Sequence, residues 1–306
     1  MAYRSVARPE ANRPCPAVPC HPMPLLPTQQ LSRRQLEALA RLEARVVSAD
    51  GGRLKLEWGV LRDRPGDAIR DYLWLENDRP VGFVGLYAYG SSRIEIAGMV
   101  DPAARRRGIA TALLQAALPT CREHGGDSVL LIVPRESVGG RAFALGRGAV
   151  LEHSEHALLL DERPEDRPVD PRIQIRAATR DDFEQLSELL IAGFGHPAYH
   201  PHEFDRTERS RTVIVQLGRV VVGTARLLLD GVRGGIYGFT ITPELRGRGI
   251  GRDVLRRVTT GLFDAGATTV GLEVEVENDH ALGLYLSLGF KPHSTEDYYQ
   301  LMLWCS

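Results

Sequence analysis

A surplus of charge of one sign, a long apolar run, metal-spaced cysteines and the apolar segment of a secretory signal are all missing from this sequence. Each absence removes a class of function. The 306 residues carry 38 Lys and Arg against 39 Asp and Glu, a formal net charge of −1 at pH 7. No global positive field is there to draw in nucleic acid or an acidic membrane, so neither is expected as a partner. No stretch approaches the roughly 18 consecutive apolar residues of a membrane span. Arg4 and Arg8 precede no apolar segment of the kind a secretory signal requires. The four cysteines, Cys15, Cys20, Cys121 and Cys305, show no metal-like spacing. That sparing use fits a reducing compartment, and a cytoplasmic location is expected.

What is present is enough chain for two cores. Hydrophobic residues make up 43% and charged residues 25%, the balance of a globular protein. The first 28 residues stand apart. Prolines at 9, 14, 16, 19, 22, 24 and 27 bar helix and strand, so residues 1–28 read as a disordered extension. Cys15 and Cys20 lie in that tract, which argues against a metal site there, and Met23 is a candidate translation start.

Beyond it, Leu31, Leu36, Leu39 and Leu42 recur at helical spacing. Three strands follow, "DYLWLEN", "VGFVGLYAYG" and "RIEIAGMV", then an amphipathic helix from Ile109 and the buried strands "SVLLIV" and "EHALLL". His153 and His156 flank the last of these and have no evident role. Residues 161–171, "DERPEDRPVDP", have nothing to bury and read as a linker between a domain at 29–160 and another at 172–306. The second half repeats the pattern of strand, helix, hairpin, strand, helix, strand and short helix.

The repetition is arithmetical. A shift of 141 positions lays Pro102 on Pro243, Arg105 on Arg246, Arg107 on Arg248, Gly108 on Gly249 and Ile109 on Ile250. The register runs without a gap to Gly148 on Gly289.

At the repeated corner a strand gives way to a helix. Helix N-termini present N–H groups without intrahelical partners and a positive dipole end. Glycines let an anion approach bare backbone, and arginines add charge-assisted bonds. "RGRGIG", Arg246 to Gly251, therefore suits a pyrophosphate, although a tight turn with solvated arginines reads equally well from these residues alone. Arg252 stands where a dinucleotide-binding fingerprint needs its third glycine, and no P-loop is present.

The downstream segment "LEVEVENDHALGLYLSLGF" adds a second motif. Together the two resemble the GCN5-related N-acetyltransferase superfamily. Its pyrophosphate loop corresponds to Arg246, Gly249 and Gly251, and its Asn–Tyr–Gly–Phe spacing to Asn278, Tyr285, Gly289 and Phe290. The resemblance implies a mixed α/β fold of two tandem domains. Each would be a mostly antiparallel sheet with splayed parallel central strands and flanking helices.

It also implies direct acetyl transfer from acetyl-CoA, as co-substrate and without a metal, to a primary amine of a small molecule or peptide. The chain would act as a monomer or homodimer. Phe239, Thr240 and Ile241 would pair with pantetheine, Arg246, Gly247, Arg248, Gly249, Ile250 and Gly251 would hold the pyrophosphate, and Asn278 would assist. Gly98, Met99 and Val100, with Arg105, Arg106, Arg107, Gly108, Ile109 and Ala110, are the first copy's counterparts.

Many members place a basic Glu eight residues before the loop proline. Here that position is Gly235, and Ile94 in the first copy. The ribosomal-protein N-terminal acetyltransferases instead place a Glu twelve residues before the Tyr, which is Glu273 here. Glu273, Glu275 and Glu277 share one strand face, opposite Leu272, Val274 and Val276. Glu273 is thus expected as the base, directly or through water, and Tyr285 as the acid. A solvated strand face and a core aromatic are the plain alternatives. The first copy has Ile132, Ser137, Ala144 and Ala149 where the second has Glu273, Asn278, Tyr285 and Phe290, so it is expected to be non-catalytic.

The acceptor is not legible. His196, His200 and His202 lie in a segment that could contact it, and Pro197 and Pro201 break the register a zinc pair would need. The two-domain layout also resembles the mycothiol synthases, although Gly235 stands where those enzymes carry a Glu. An acyl-CoA-binding sensor without activity is the non-enzymatic alternative.

Overall fold

The computed structural model describes residues 24–88, 93–195 and 210–303. His196, His200, His202, Cys15, Cys20, Met23 and Cys305 lie outside the described residues. The first half contributes β1 (Leu25–Thr28), β2 (Asp71–Glu76), β3 (Arg79–Ala88), β4 (Arg93–Val100), β5 (Ser128–Pro134) and β6 (Val150–Leu160). The second contributes β7 (Ile173–Ala177), β8 (Ser210–Leu217), β9 (Val220–Asp230), β10 (Arg233–Ile241), β11 (Thr269–Glu275) and β12 (Lys291–Met302).

These strands form one continuous sheet in the order β1-β2-β3-β4-β5-β12-β6-β11-β10-β9-β8-β7. The halves are interlocked. β12 lies between β5 and β6, and β6 runs antiparallel to β11. Each half thereby covers the strand edge that the other would expose. The sheet is not divided at residue 160.

Two expectations change, and one strand is new. The N-terminal extension ends before residue 25, because Leu25–Thr28 pairs with Tyr72 and its neighbours on β2. Pro24 and Pro27 are tolerated because β1 is the outermost strand, where a missing N–H breaks no ladder. His153 and His156 lie inside β6 rather than beside it; His153 stacks on Tyr298 with ring centroids 4.2 Å apart, and His156 bonds Thr295. β12 itself went unread, since its polar "KPHSTED" start hides the alternation.

The helices are α1 (Arg33–Asp50), α2 (Trp58–Arg62), α3 (Ile109–Glu123), α4 (Val138–Gly146), α5 (Phe183–Phe194), α6 (Ile250–Asp264) and α7 (Asp279–Leu286). A reciprocal cap between Ser32 and Gln35 starts α1, which buries Leu39, Leu42 and Val46 against Phe83 and Met99. On the opposite face α3 packs Leu113, Leu114 and Ala117 against Ile94, Ile96 and Leu131. In the second half α6 packs Val254, Leu255 and Val258 against Ile236 and Leu272.

Two parallel forks result. β4 and β5 share rungs from Arg93↔Ser128 to Ile96↔Leu131, and none beyond. β10 and β11 share rungs from Arg233↔Thr269 to Ile236↔Leu272, and then part. The copies differ in one detail. β10 carries a bulge between Tyr237 and Thr240 against β9, with Gly238 at φ +54°, whereas β4 runs regularly along β3. The extra residue kinks β10 just where it leaves β11.

Candidate active site

Both anion corners have the same backbone. Arg106 and Gly108 stand at φ +63° and +81°, and Gly247 and Gly249 at +74° and +82°. A Cβ built on Gly108, Gly247 or Gly249 would meet nothing within 4 Å, so both corners are sterically able to take a phosphate group. At each corner the first arginine fastens the loop: Arg246 Nε donates to the Ile241 carbonyl at 2.8 Å, and Arg105 Nε to that of Val100 at 3.2 Å.

Electrostatics separates them. Arg105 is held by Asp50 in a two-pronged pair at 2.7 and 3.0 Å, and Arg107 pairs with Glu76 at 2.6 Å. Arg246 and Arg248 face no carboxylate partner among the described residues. Among the described residues, then, the first corner's arginines are paired with carboxylates and the second corner's are not.

Past the second fork, Phe239, Thr240 and Ile241 have no β11 partner. Thr240 and Ile241 remain tied to β9 on their other side. Gly251 and its counterpart Ala110 lie in the first turns of α6 and α3, and Ile250 and Ile109 are core residues. A Cβ on Gly251 would make ordinary contacts of 3.6 Å and more, so an alanine such as Ala110 is sterically acceptable at this place. Gly98, Met99 and Val100 lie past the first fork and pair with β3. Asn278 caps α7 by accepting the Ala281 N–H at 3.1 Å, as Ser137 caps α4 by accepting that of Gly140 at 3.2 Å. Its Oδ1 is committed to the helix.

Tyr285 is buried on the α6 side, edge-on to Phe290 at 6.1 Å. Burial pushes its hydroxyl up to about 12, so it remains protonated over the physiological range. Glu273 is the first β11 residue past the fork and projects from the opposite face, where Ala157 is its neighbour on β6. The opening between β10 and β11 lies between these two faces.

Glu273 is not a bare strand-face carboxylate. Arg53 reaches it at 2.5 Å and Lys55 at 2.7 Å, both from the segment joining α1 to α2. Burial alone would raise its pKa, but the charges of Lys55 and Arg53 outweigh that and hold it well below the usual carboxylate range. Arg53 also bonds Glu296 at 3.1 Å, while Lys55 bonds the Tyr298 hydroxyl at 2.5 Å and Glu155 at 3.3 Å.

The bulge alters one reading. Gly235 pairs with Gly271, one rung before the second fork. The residue on the same rung of the first fork is Glu95, paired with Leu130, and not Ile94, because β4 lacks the extra residue. Burial, with Glu155, Glu273 and Glu57 nearby and only partly offset by Lys55, pushes the Glu95 carboxyl up to about 7. At Gly235 the place of a side chain is filled: a Cβ there would lie 2.7 Å from the Tyr237 ring.

The model of the acetyltransferase (GNAT) family matches residues 34–146 and 175–290, once over each copy. The chain belongs to this family. The mycothiol acetyltransferases of Mycobacterium ulcerans and Mycobacterium marinum are each 31% identical to it, over 273 and 277 residues. Each alignment spans 76% of this chain and 83% of the relative. A GCN5-related N-acetyltransferase of Sphaerobacter thermophilus superposes with a TM-score of 0.75 at 20% identity, covering 93% of this chain and 98% of that one. A tandem GNAT protein from the clavulanic acid biosynthesis pathway gives 0.68 at 17%, covering 92% and 99%. Both share the fold of this tandem GNAT chain.

Sequence reasoning found both acetyltransferase motifs and the repeat. It missed Arg53, Lys55 and Glu95. The two cations belong to no motif and reach Glu273 only through tertiary packing, and Glu95 is displaced by one residue from the position the spacing names.

Proposed function

We propose that this acetyltransferase moves an acetyl group from acetyl-CoA to a primary amine within a ternary complex, and that the second half is catalytic. The observation that carries the reading is the parting of β10 from β11 after Ile236 and Leu272, beside a corner whose arginines have no carboxylate partner among the described residues. Arg246 to Gly251 would hold the diphosphate and Phe239 to Ile241 the pantetheine arm. A backbone N–H of that strand would polarise the thioester carbonyl, supplying the oxyanion stabilisation acyl transfer needs. Glu273, ionised at rest, would take up the amine proton through a water, and Tyr285 would give a proton to the departing thiolate. Asn278 assists by fixing the start of the helix that carries Tyr285.

The first half would be non-catalytic, with Ala144 where Tyr285 stands and its arginines paired. The similarity to the mycothiol acetyltransferases favours one specific acceptor, an amine on a cysteinyl-glucosaminyl-inositol, over a generic one. Thiol release from acetyl-CoA, measured against an amine library that includes this conjugate with Tyr285→Phe in parallel, tests the reading. Amine-dependent release that falls in the variant is expected. Equal traces from two proteins that both bind CoA would favour a sensor instead.

A further inference from the structure

Lysine is nearly absent from this chain: Lys55 and Lys291 are the only two, and arginine supplies the other cations. One of the two, Lys55, is largely covered at the centre of the sheet. Gly51 and Gly52, at φ +77° and +69°, turn the chain out of α1, and residues 53–57 then run across the face that bears Glu273. Leu54 and Leu56 pack into the first half's core, while Arg53 and Lys55 alternate with them and reach β11, β6 and β12. Lys55 has a side-chain exposure of 11% and touches three strands at once.

We propose that Lys55, supplied by the first half, is a positioning residue for acyl transfer in the second half: it keeps Glu273 ionised and aimed at the fork between β10 and β11. This rests on the acetyl-transfer reading of Glu273. The geometry supports a role beyond holding the halves together. Glu273 lies one residue past the last rung, so a small rotation of its side chain would carry the carboxylate toward or away from the opening. Two cations on it, from one short segment, remove that freedom. Tyr298 and Glu155 hold Lys55 from below, joined to each other by a hydrogen bond.

The other titratable groups facing this pair come from every neighbouring element. Glu57 lies on the same segment, Glu95 on β4, His153 on β6 against Tyr298, Glu296 on β12, Tyr237 on β10 and Arg226 on β9. Of these, the carboxylates Glu57 and Glu95 push against ionisation of Glu273, whereas Lys55 and Arg53 favour it. Loss of Lys55 therefore leaves Arg53 alone against burial and several like charges, and the carboxyl should begin to take up protons as pH falls.

Two measurements on the full chain test this. The first is the pH profile of kcat/KM for wild type, Lys55→Met and Lys55→Arg. Lys55→Met should move the acidic limb up by at least one pH unit and lower kcat about tenfold or more, with KM for acetyl-CoA unchanged. Lys55→Arg should restore most of the activity. An unchanged acidic limb in a folded Lys55→Met protein would overturn the proposal.

The second needs no turnover. With lysine labelled at 13Cε, the protein gives two signals. The Lys55 signal should resist titration to well above the usual lysine range, and should titrate at lower pH in Glu273→Gln. Identical Lys55 titration in wild type and Glu273→Gln would also overturn it. Wild type that acetylates no amine would sink the functional reading, while this second measurement would still decide the coupling.

Discussion

Arg53 and Glu273 stand 220 residues apart in the chain and 2.5 Å apart in the structure. Together with the exchange of β6 and β12, this contact makes each half part of the other's fold. Residues 172–306 expressed alone would carry β12 without β5 or β6, and β11 with one bare edge. They are expected to show no cooperative thermal unfolding and to become soluble only when co-expressed with the first half. A cooperative melt of that fragment by itself would contradict the interlock.

Glu95 gives a pH dependence with a definite sign. Its folded pKa of about 7 lies above the ordinary 4.5, so the folded state binds the proton more tightly than the unfolded one. Stability from this group is fully present below about pH 4.5 and is lost as pH rises through about 7. Glu95→Gln should remove that loss. After allowance for partial exposure, the variant is expected to be about 1 to 2 kcal/mol more stable than wild type at pH 8, with little difference at pH 4. Denaturant melts at the two pH values check this.

The two anion corners should differ in function although their backbones agree. Gly249→Glu puts a side chain at φ +82° and a carboxylate on a positive helix tip. Calorimetric titration should show CoA affinity falling at least about tenfold. Gly108→Glu strains the first corner equally and should leave acetyl transfer intact. Loss of activity with Gly108→Glu and survival with Gly249→Glu would reverse the assignment of the catalytic half.

Tyr285→Phe removes one hydroxyl from a packed site and keeps the ring against Phe290. A drop in kcat of about a hundredfold is expected, with KM for acetyl-CoA nearly unchanged. Because burial holds the hydroxyl near 12, no alkaline loss of activity below about pH 11 should trace to this residue.

Much of the fold was legible because its signals are local. Apolar periodicity marks α1, α3 and α6, and the equal spacing of two glycine corners reveals the repeat. β4 was read to the residue, since its alternation is framed by turn residues. The exchange of β6 and β12 was not legible, because strand order depends on contacts that no window of sequence contains. Glu95 was hidden for a different reason. Counting back from Pro102 presumes a bulge that β4 does not have, and a single inserted residue carries the count to the wrong face of a strand. Lys55 had no pattern at all. Its importance arises from three strands that meet around it.

Amide hydrogen exchange of the full chain with and without CoA tests the central claim most directly. The account expects slowed exchange at Tyr237 to Ile241 and at Arg246 to Gly251, where the parted strand and the positive helix tip would grip the ligand. Slowing confined to Ala97 to Val100 and Arg105 to Ala110, or none at either fork, would contradict it.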